Sequence, residues 1–267
     1  MRNFKILILL TLLLFIVTHT EAQLQHNVPL KLRIGTYNVG HFNQGEPGGY
    51  QGEDVEAEMK RWRTWIGTQS MDLFFVSEWN GLFDRGGTLN AADELLKPFY
   101  INSCFGEEYT WIHNGIATNY KLTNVRQIDL THKEYYILAA DLVVGDKTII
   151  LMSVHVPWQE CCHESSLQML IDELKKHEYV ICAGDINASN KNQLRFADEG
   201  FNMANGGSEG WFCTWAKDCE KDDTSNAHLD NIITSKNIKI LNVDAPRNEL
   251  TDKDHWPLLT DIIITWE

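Results

Sequence analysis

The sequence has no obvious internal division. No Pro/Ser-rich linker, low-complexity tract or internal repeat interrupts the 267 residues. Because a chain of this length can bury a sizeable single core, this absence argues against a repeat protein or a string of small modules. We therefore predict one domain over residues 23–267.

Positive charge is scarce. The chain has 23 Lys and Arg residues against 37 Asp and Glu residues, a formal net charge of −14. Tight sequence-independent binding to nucleic acid depends on Lys and Arg that neutralise phosphates, so this balance disfavours it. A nuclease stays compatible with the composition, because a bound divalent cation can supply positive charge locally.

The Gly-rich residues 43–54 lack the Gly-Lys-Ser/Thr sequence of a P-loop, so we predict a surface loop there.

The sequence has no apolar run long enough to span a bilayer. One shorter apolar run lies near the start. Residues 6–17 are mostly apolar, follow Arg2 and Lys5, and precede the small-x-small sequence Thr20-Glu21-Ala22. A bilayer span takes about 20 residues, so the pattern predicts a secretory signal peptide over residues 1–22. An uncleaved anchor is the alternative, and no cysteine follows Ala22 to carry a lipid. We expect a secreted or periplasmic monomer without a stable membrane span.

Six cysteines in an oxidising compartment favour disulfide bonds. Cys213 and Cys219 are close enough in sequence to close a loop. Cys104 could reach Cys161 or Cys162, whereas Cys182 lies in an apolar run that predicts a free buried thiol. The sequence alone leaves the pairing open.

The order of predicted strands and helices favours two sheets with outer helices over a single parallel sheet. Apolar and β-branched runs predict strands, and apolar residues at helical spacing predict helices. The predicted strands are 30–39, 72–78, 115–120, 135–144, 147–156, 229–233 and 259–266, with another that starts at Tyr179. The predicted helices are 54–69, 90–98, 164–177 and 190–200.

The stretch Gly184-Asp185-Ile186-Asn187 follows the apolar run that starts at Tyr179. A buried strand with this ending delivers two polar side chains where the chain leaves the sheet. Side chains two residues apart on extended chain share a face, so Asp185 and Asn187 can point into one pocket. Such a carboxylate and amide suit the positioning of an attacking water and a phosphoryl oxygen. An Asx-turn that merely caps backbone groups is the alternative.

Further polar residues lie at the ends of other predicted strands or in the loops that follow. The whole set is Asn38, Glu78, His155, Asp185, Asn187, Asp230, Asp254 and His255. The motifs that carry them are Tyr-Asn-Val (37–39), Ser-Glu-Trp (77–79), Ser-Val-His-Val-Pro (153–157), Gly-Asp-Ile-Asn (184–187), Leu-Asp-Asn-Ile (229–232) and Asp-His-Trp-Pro (254–257). In this order, over roughly residues 30–267, the set resembles the endonuclease/exonuclease/phosphatase superfamily, which includes deoxyribonuclease I.

The resemblance implies an α+β fold, a four-layer α/β/β/α sandwich like deoxyribonuclease I, with a divalent-metal site at one edge of the sheets. The expected ion is Mg²⁺, with Mn²⁺ or Ca²⁺ as alternatives. Glu78 would be the principal metal ligand, with Asn38 beside it and Asp254 completing the acidic side. A single strong carboxylate ligand is consistent with Mg²⁺, because this ion usually keeps several of its bound waters in a protein site.

The resemblance also implies roles for the remaining residues. Asp185 would orient or deprotonate the attacking water, and Asn187 would bind a phosphoryl oxygen. His255, oriented by Asp230, would be the general acid or base, while His155 would contact the scissile phosphate. Histidines that titrate near neutral pH suit proton transfer at a phosphate.

The expected function is therefore a secreted divalent-metal-dependent phosphoesterase that attacks a phosphodiester or phosphomonoester with an activated water. An endonuclease is one candidate; a sphingomyelinase-like enzyme and an inositol-phosphate phosphatase are others. The substrate would be nucleic acid, a phospholipid headgroup or a sugar phosphate. A catalytically silent binding protein on the same fold is the alternative outside enzymes. Two departures from the family pattern leave the subfamily open. Ser-Glu-Trp (77–79) replaces the common Gln-Glu pair, and Asn231 follows Asp230.

Three other patterns in the sequence have a functional and a structural interpretation. The sequence Glu160-Cys161-Cys162-His163-Glu164 contains zinc-ligand types, but adjacent cysteines lack the usual Cys-x₂₋₄-Cys spacing. Residues 206–210 match Gly-x-Ser-x-Gly without the strand and helix that flank a nucleophile elbow. Trp79, Trp158 and Trp256 either line the cleft and stack on substrate or belong to the core and rim.

Overall fold

The computed structural model describes residues 28–43, 48–107, 113–132, 134–221, 226–250 and 253–266. The predicted signal peptide lies outside these ranges. The strands described are β1 Leu30–Asn38, β2 Leu73–Trp79, β3 Asn102–Phe105, β4 His113–Thr118, β5 Leu122–Asp129, β6 Tyr136–Val144, β7 Lys147–His155, β8 Val180–Asp185, β9 Asn202–Met203, β10 Asp230–Thr234, β11 Ile238–Asp244 and β12 Leu258–Ile264. The α-helices are α1 Val55–Gln69, α2 His163–Leu174 and α3 Asn190–Asp198, with a 3₁₀ turn at Gly40–Phe42 and a π-helical turn at Ala92–Leu96.

The strands form two mixed sheets. The first has the order β11-β12-β1-β2-β4-β3 and the second the order β5-β6-β7-β8-β10-β9. The parallel pairs β1–β2 and β7–β8 lie at the centres of their sheets. Polar residues at the carboxyl ends of these four strands are therefore collected at the middle of each sheet rather than at its margin.

The core between the two sheets contains one face of every central strand. Ile34 and Phe75 from the first sheet lie in the same buried cluster as Leu151 and Ile181 from the second. Their sequence neighbours face outward, because side chains alternate across a strand. Burial on both faces explains why these strands read as nearly continuous apolar runs.

Helices cover the outer faces. Trp62 and Ile66 of α1 pack with Phe74 on the outer face of the first sheet. Leu167 of α2 and Phe196 of α3 pack on the outer face of the second sheet. The predicted four-layer α/β/β/α sandwich is confirmed. No helix within the described ranges is long and apolar enough to cross a membrane.

Four strands that the sequence analysis did not predict are the margins of the two sheets. β11 and β3 flank the first sheet, and β5 and β9 flank the second. Each pairs on one side only and is partly exposed, so none carries the continuous apolar run of a central strand. β11 also contains a bulge between Ile240 and Asn242, which breaks the alternation.

The cysteines differ from one expectation. Cys213 and Cys219 form a disulfide, which is one of the pairings that the sequence left open. Cys161 and Cys162 are bonded to each other, so the suggestion that Cys104 reaches one of them is wrong and Cys104 is free. Their oxidation also removes the thiolates that a zinc site would need. Cys182 is a free, buried thiol in β8 as predicted, and burial raises its pKa.

Gly184 immediately precedes Asp185 and permits a close approach of two backbones. Its φ is +153°, and a Cβ at this position would lie 1.8 Å from the carbonyl oxygen of Val154 on β7. That contact is with backbone, so no side-chain rotation can relieve it. A glycine is required here for β8 to place Asp185 beside His155.

We expect Gly184→Ala to lower the free energy of unfolding by roughly 3 kcal/mol or more, because β7 and β8 must separate to admit a methyl group. Chemical denaturation measures the change. The matched control is Gly200→Ala, whose φ is +87° but whose added Cβ would meet nothing within 4 Å. The control should cost about 1 kcal/mol, the usual penalty for a positive φ alone. Equal losses in the two variants would contradict the steric explanation.

Candidate active site

The ends of the central strands of both sheets meet at one edge of the sandwich. Across the second sheet, His155 of β7 is in register with Asp185 of β8, and Asp185 is in register with Asp230 of β10. In the first sheet, Asn38 pairs with Ser77, so that Glu78 follows directly beside it. Segments far apart in sequence thus place five polar side chains in one region.

Asn38 connects the two sheets. Its side-chain amide donates hydrogen bonds to Glu78 Oε1 at 2.9 Å and to Asp185 Oδ2 at 3.0 Å. Its own Oδ1 accepts a hydrogen bond from the backbone N–H of Gly40 at 3.0 Å, which holds the side chain in this orientation. The amide therefore keeps two carboxylates close together that would otherwise repel each other.

Glu78 occupies an unusual backbone conformation with φ of +52°. Its Oε2 lies 3.0 Å from Nε2 of His41, and its Oε1 lies 3.6 Å from Nε2 of His155. Burial alone would raise the pKa of Glu78, but the hydrogen bond from His41 and the charges of both histidines outweigh burial and hold the pKa well below its usual range. The carboxylate is therefore ionised at any physiological pH.

Asp185 lies at the centre of the cluster and is 1 % exposed. One carboxylate oxygen accepts the backbone N–H of Asn187 at 2.9 Å. The other lies 3.6 Å from Nε2 of His155 and 3.8 Å from Nε2 of His255. Burial raises the pKa of Asp185 to about 6, with the two histidines opposing the shift. A carboxylate tuned in this way can accept a proton near neutral pH.

Asp230 and His255 form a buried pair. Nδ1 of His255 lies 2.7 Å from Asp230 Oδ2, which leaves Nε2 directed toward Asp185. Burial would lower the pKa of His255, but the charge and hydrogen bond of Asp230 overcome it and raise the pKa to about 10. The pair therefore holds a proton on His255 at the centre of the site.

The side chains present fit a divalent metal ion. Glu78, His155 and Asp185 offer ligand atoms within 4.8 Å of one another, and so do Asp185, Asp230 and His255. Oδ1 of Asp230 is buried without a hydrogen-bond partner among the described residues, as expected for a carboxylate that shares the site with another group. Carboxylate oxygens are among the ligands that Mg²⁺ prefers.

Solved structures with similar architecture decide the fold family. An endonuclease/exonuclease/phosphatase from Bacteroides vulgatus matches with a TM-score of 0.69 at 13% identity, over 88% of this chain and 99% of that one. Another from Beutenbergia cavernae matches with a TM-score of 0.67 at 13% identity, over 88% and 72%. TDP2 from D. rerio, complexed with single strand DNA product, matches with a TM-score of 0.62 at 17% identity, over 87% and 98%. This chain has the endonuclease/exonuclease/phosphatase fold.

No protein-family model matches the sequence, and neither does any curated protein. At identities of 13% and 17% the likeness establishes the fold, and the activity has to be argued from the site. The fold explains the position of the cluster, because ligand sites of layered α/β proteins form beyond the ends of their central strands.

Two of the predicted residues stand apart from the two ligand clusters. Asn187 follows Asp185 on the same segment, with φ of +51°, but its side-chain amide donates to the carbonyl oxygen of Val156 at 3.0 Å. The side chain of Asp254 is 24% exposed and lies 3.9 Å from Nζ of Lys217. Asp254 is in neither group of mutually close ligand atoms within the described ranges, but its charge helps to raise the pKa of His255. Metal binding by Asp254 and phosphoryl binding by Asn187 stay predictions.

His41 is a site residue that the sequence analysis missed. It is 4 % exposed and bonds Glu78 from the turn Gly40–Phe42, where three successive residues have positive φ values. Non-glycine residues rarely adopt this conformation, and such strain is concentrated at functional sites. The only signal in the sequence is a histidine three positions after Asn38, which periodicity cannot separate from an ordinary loop residue.

We expect His41→Ala to weaken divalent-metal binding about 10-fold to 100-fold, because Glu78 loses the donor that orients its Oε2. His41→Gln should restore part of the affinity, since its amide can donate from a similar position. Isothermal titration with Mn²⁺ measures the effect directly. Unchanged affinity in a folded His41→Ala protein would show that Asn38 and His155 hold Glu78 without His41.

The three tryptophans differ in environment. Trp79 is 1 % exposed and packs against Phe42 and Phe105, so the suggestion that it lines the cleft is wrong. Trp158 is 68 % exposed on the segment that follows His155. Trp256, next to His255, is partly buried, and the guanidinium carbon of Arg247 lies 6.0 Å from the centroid of its ring.

Ser208 of the Gly-x-Ser-x-Gly pattern lies exposed in a loop with no helix directly after it, so the esterase interpretation is excluded.

Proposed function

We propose that this protein is a divalent-metal-dependent phosphoesterase, with Mg²⁺ as the expected ion. The observation that carries the proposal is the convergence of Asn38, Glu78, Asp185 and the Asp230–His255 pair from two sheets onto one point. Oδ1 of Asp230 is buried without a hydrogen-bond partner among the described residues, which supports a polar occupant beside it.

Glu78 would hold the metal, with Asn38 and Asp185 beside it. A bound Mg²⁺ would neutralise charge on the phosphoryl group and on the leaving oxygen. The ionised state of Glu78 and the oxygen-rich surroundings suit a hard cation. His155, 3.6 Å from both carboxylates, is placed to donate a hydrogen bond to a non-bridging phosphoryl oxygen.

Asp185 and His255 are suited to opposite proton transfers. Asp185, with a pKa raised to about 6, can accept a proton from the attacking water. His255, with a pKa raised to about 10, can donate a proton to the leaving oxygen as the P–O bond breaks. Asp185 takes a proton from the water as the new O–P bond forms, and His255 gives a proton to the leaving oxygen as the old P–O bond breaks. Return of the proton from Asp185 to His255 through solvent resets the site, so the net reaction consumes one water per ester cleaved.

Phosphodiesters of nucleic acid are the first substrates to test. TDP2 from D. rerio, which shares the fold, is complexed with single strand DNA product. The net charge of −14 argues against a long cationic binding track, so short or single-stranded substrates fit better than duplex DNA. Sphingomyelin and inositol phosphates remain the competing substrate classes.

We further propose that the protein is exported from the cytoplasm. The signal-like residues 1–22 predict export. Two disulfides, Cys161–Cys162 and Cys213–Cys219, support an oxidising compartment. Cell fractionation with protein sequencing of the mature N-terminus tests this point, and a cytoplasmic protein that retains residues 1–22 would contradict it.

Hydrolysis assays test the proposed activity. Bis-p-nitrophenyl phosphate and p-nitrophenyl phosphate distinguish a diesterase from a monoesterase, each with Mg²⁺, Mn²⁺ or Ca²⁺. Single-stranded DNA, RNA, sphingomyelin and inositol phosphates then define the substrate class. We expect turnover of at least one substrate that EDTA abolishes and Mg²⁺ restores. No metal-dependent turnover of any of them would favour a catalytically silent binding protein on this fold.

A further inference from the structure

A cavity separate from the candidate active site lies on the outer side of the first sheet. It has a volume of about 430 Å³ and is bounded by α1 on one side and by residues 246–250 on the other. None of the catalytic or metal-site candidates contributes to its lining. Its volume falls in the range of pockets that hold small organic molecules, which is about 300 to 1,000 Å³.

The cavity is elongated and mainly apolar. It runs beside α1 from Ala57 to Gln69, a distance of about 18 Å at the helical rise of 1.5 Å per residue. Trp65 and Leu250, each 8 % exposed, present their remaining accessible edges to it. Tyr37 packs beneath Trp65 with ring centroids 5.2 Å apart, so the wall is backed by aromatic core rather than by mobile loop.

The charge around this cavity is opposite to that of the whole protein. Lys60, Arg61 and Arg247 line it, whereas Glu249 is the only acidic residue among the described residues of its lining. Arg61 is engaged by Glu58 through its Nε at 2.8 Å. Lys60 and Arg247 are both exposed, and Arg247 lies over the ring of Trp256, so these two cations can face a bound molecule in a chain whose net charge is −14.

From this combination we propose that the cavity binds an amphiphilic organic anion. The apolar body would lie along α1 against Trp65 and Leu250, and the anionic head would lie between Lys60 and Arg247. Burial of apolar surface supplies the affinity, and the two cations select the charge and orientation of the ligand. The proposal concerns a site separate from the phosphoesterase centre and does not depend on that activity.

The cavity is also connected to the active site through its second wall. Asn248 donates a hydrogen bond to the hydroxyl of Tyr37 at 3.1 Å, and Tyr37 precedes Asn38. Arg247 lies over the ring of Trp256, which follows His255. A ligand in the cavity would contact the neighbours of two site residues, and because it would bind only the folded protein, it should raise the thermal stability of the protein.

Isothermal titration of the full-length protein with dodecanoate, below its critical micelle concentration, tests the assignment. We expect saturable binding at one site, together with a rise in melting temperature. Dodecyltrimethylammonium has the same apolar body and the opposite charge, and we expect it to bind at least ten-fold more weakly. Equal affinity for the two amphiphiles would overturn the assignment to an anion.

Two variants locate the site. Thr64→Trp, at an exposed lining position, should fill the cavity and weaken dodecanoate binding at least ten-fold. The double variant Lys60→Glu, Arg247→Glu should weaken it by a similar factor, because both cations at the head group are reversed. Lys191→Glu, an exposed lysine on α3, is the matched control and should leave affinity unchanged. Absence of saturable binding, or wild-type affinity in Thr64→Trp, would overturn the proposal.

Discussion

Glu78→Gln is expected to lower kcat of the phosphoesterase reaction about 10³-fold and to abolish tight Mn²⁺ binding. The substitution keeps the size of the side chain and its hydrogen bond to Asn38, but it removes the negative charge that His41 and His155 stabilise. Loss of metal-assisted charge stabilisation accounts for several kcal/mol, which corresponds to this factor. Steady-state kinetics and isothermal titration with Mn²⁺ measure the two effects separately.

The control for this variant is Glu56→Gln, which removes an equivalent charge at an exposed position of α1. It should leave both activity and Mn²⁺ affinity within a factor of two of wild type, an estimate that follows from the small effects of exposed charges. A Glu78→Gln protein that retains metal-dependent activity would remove Glu78 from the centre of the site.

His255→Asn is expected to lower kcat about 10³-fold with little change in KM, because general acid catalysis contributes roughly 10² to 10⁴. The asparagine amide can still donate to Asp230, as Nδ1 of His255 does at 2.7 Å, so the buried carboxylate keeps a partner. Only the Nε2 group that points toward Asp185 is lost. The kinetic constants with bis-p-nitrophenyl phosphate measure this effect.

Asp230→Asn separates the role of the pair from that of the histidine itself. It removes the charge that raises the pKa of His255, yet it leaves the imidazole in place. We expect a smaller loss of kcat, about 10-fold to 100-fold, as is usual for a residue that acts through another. A loss equal to that of His255→Asn would instead indicate that Asp230 contacts the reacting atoms.

The central part of the fold was predictable because burial on both faces leaves a strong signal. β1, β2, β7 and β8 read as apolar runs that end in polar residues, and their order indicated two sheets with outer helices. The marginal strands β3, β5, β9 and β11 were not predictable, since one-sided pairing imposes little on their composition.

The candidate site was predictable where it depends on the ends of central strands. Asn38, Glu78, His155 and Asp185 meet because the strands that carry them are neighbours or face each other across the core. The contribution of His41 was hidden, because it depends on a turn with three positive φ values rather than on a periodic pattern. Asp254 lies on the segment that precedes β12 and does not follow a central strand, so strand ends gave no signal for its placement.

The central claim is that strand ends from both sheets enclose one metal and phosphate site. Anomalous diffraction from a crystal soaked in Mn²⁺ tests it most directly. We predict one strong peak about 2.1 Å from a carboxylate oxygen of Glu78, on the side of the residue that faces Asn38 and Asp185. A metal bound elsewhere, with Glu78 still bonded only to His41 and Asn38, would contradict the account.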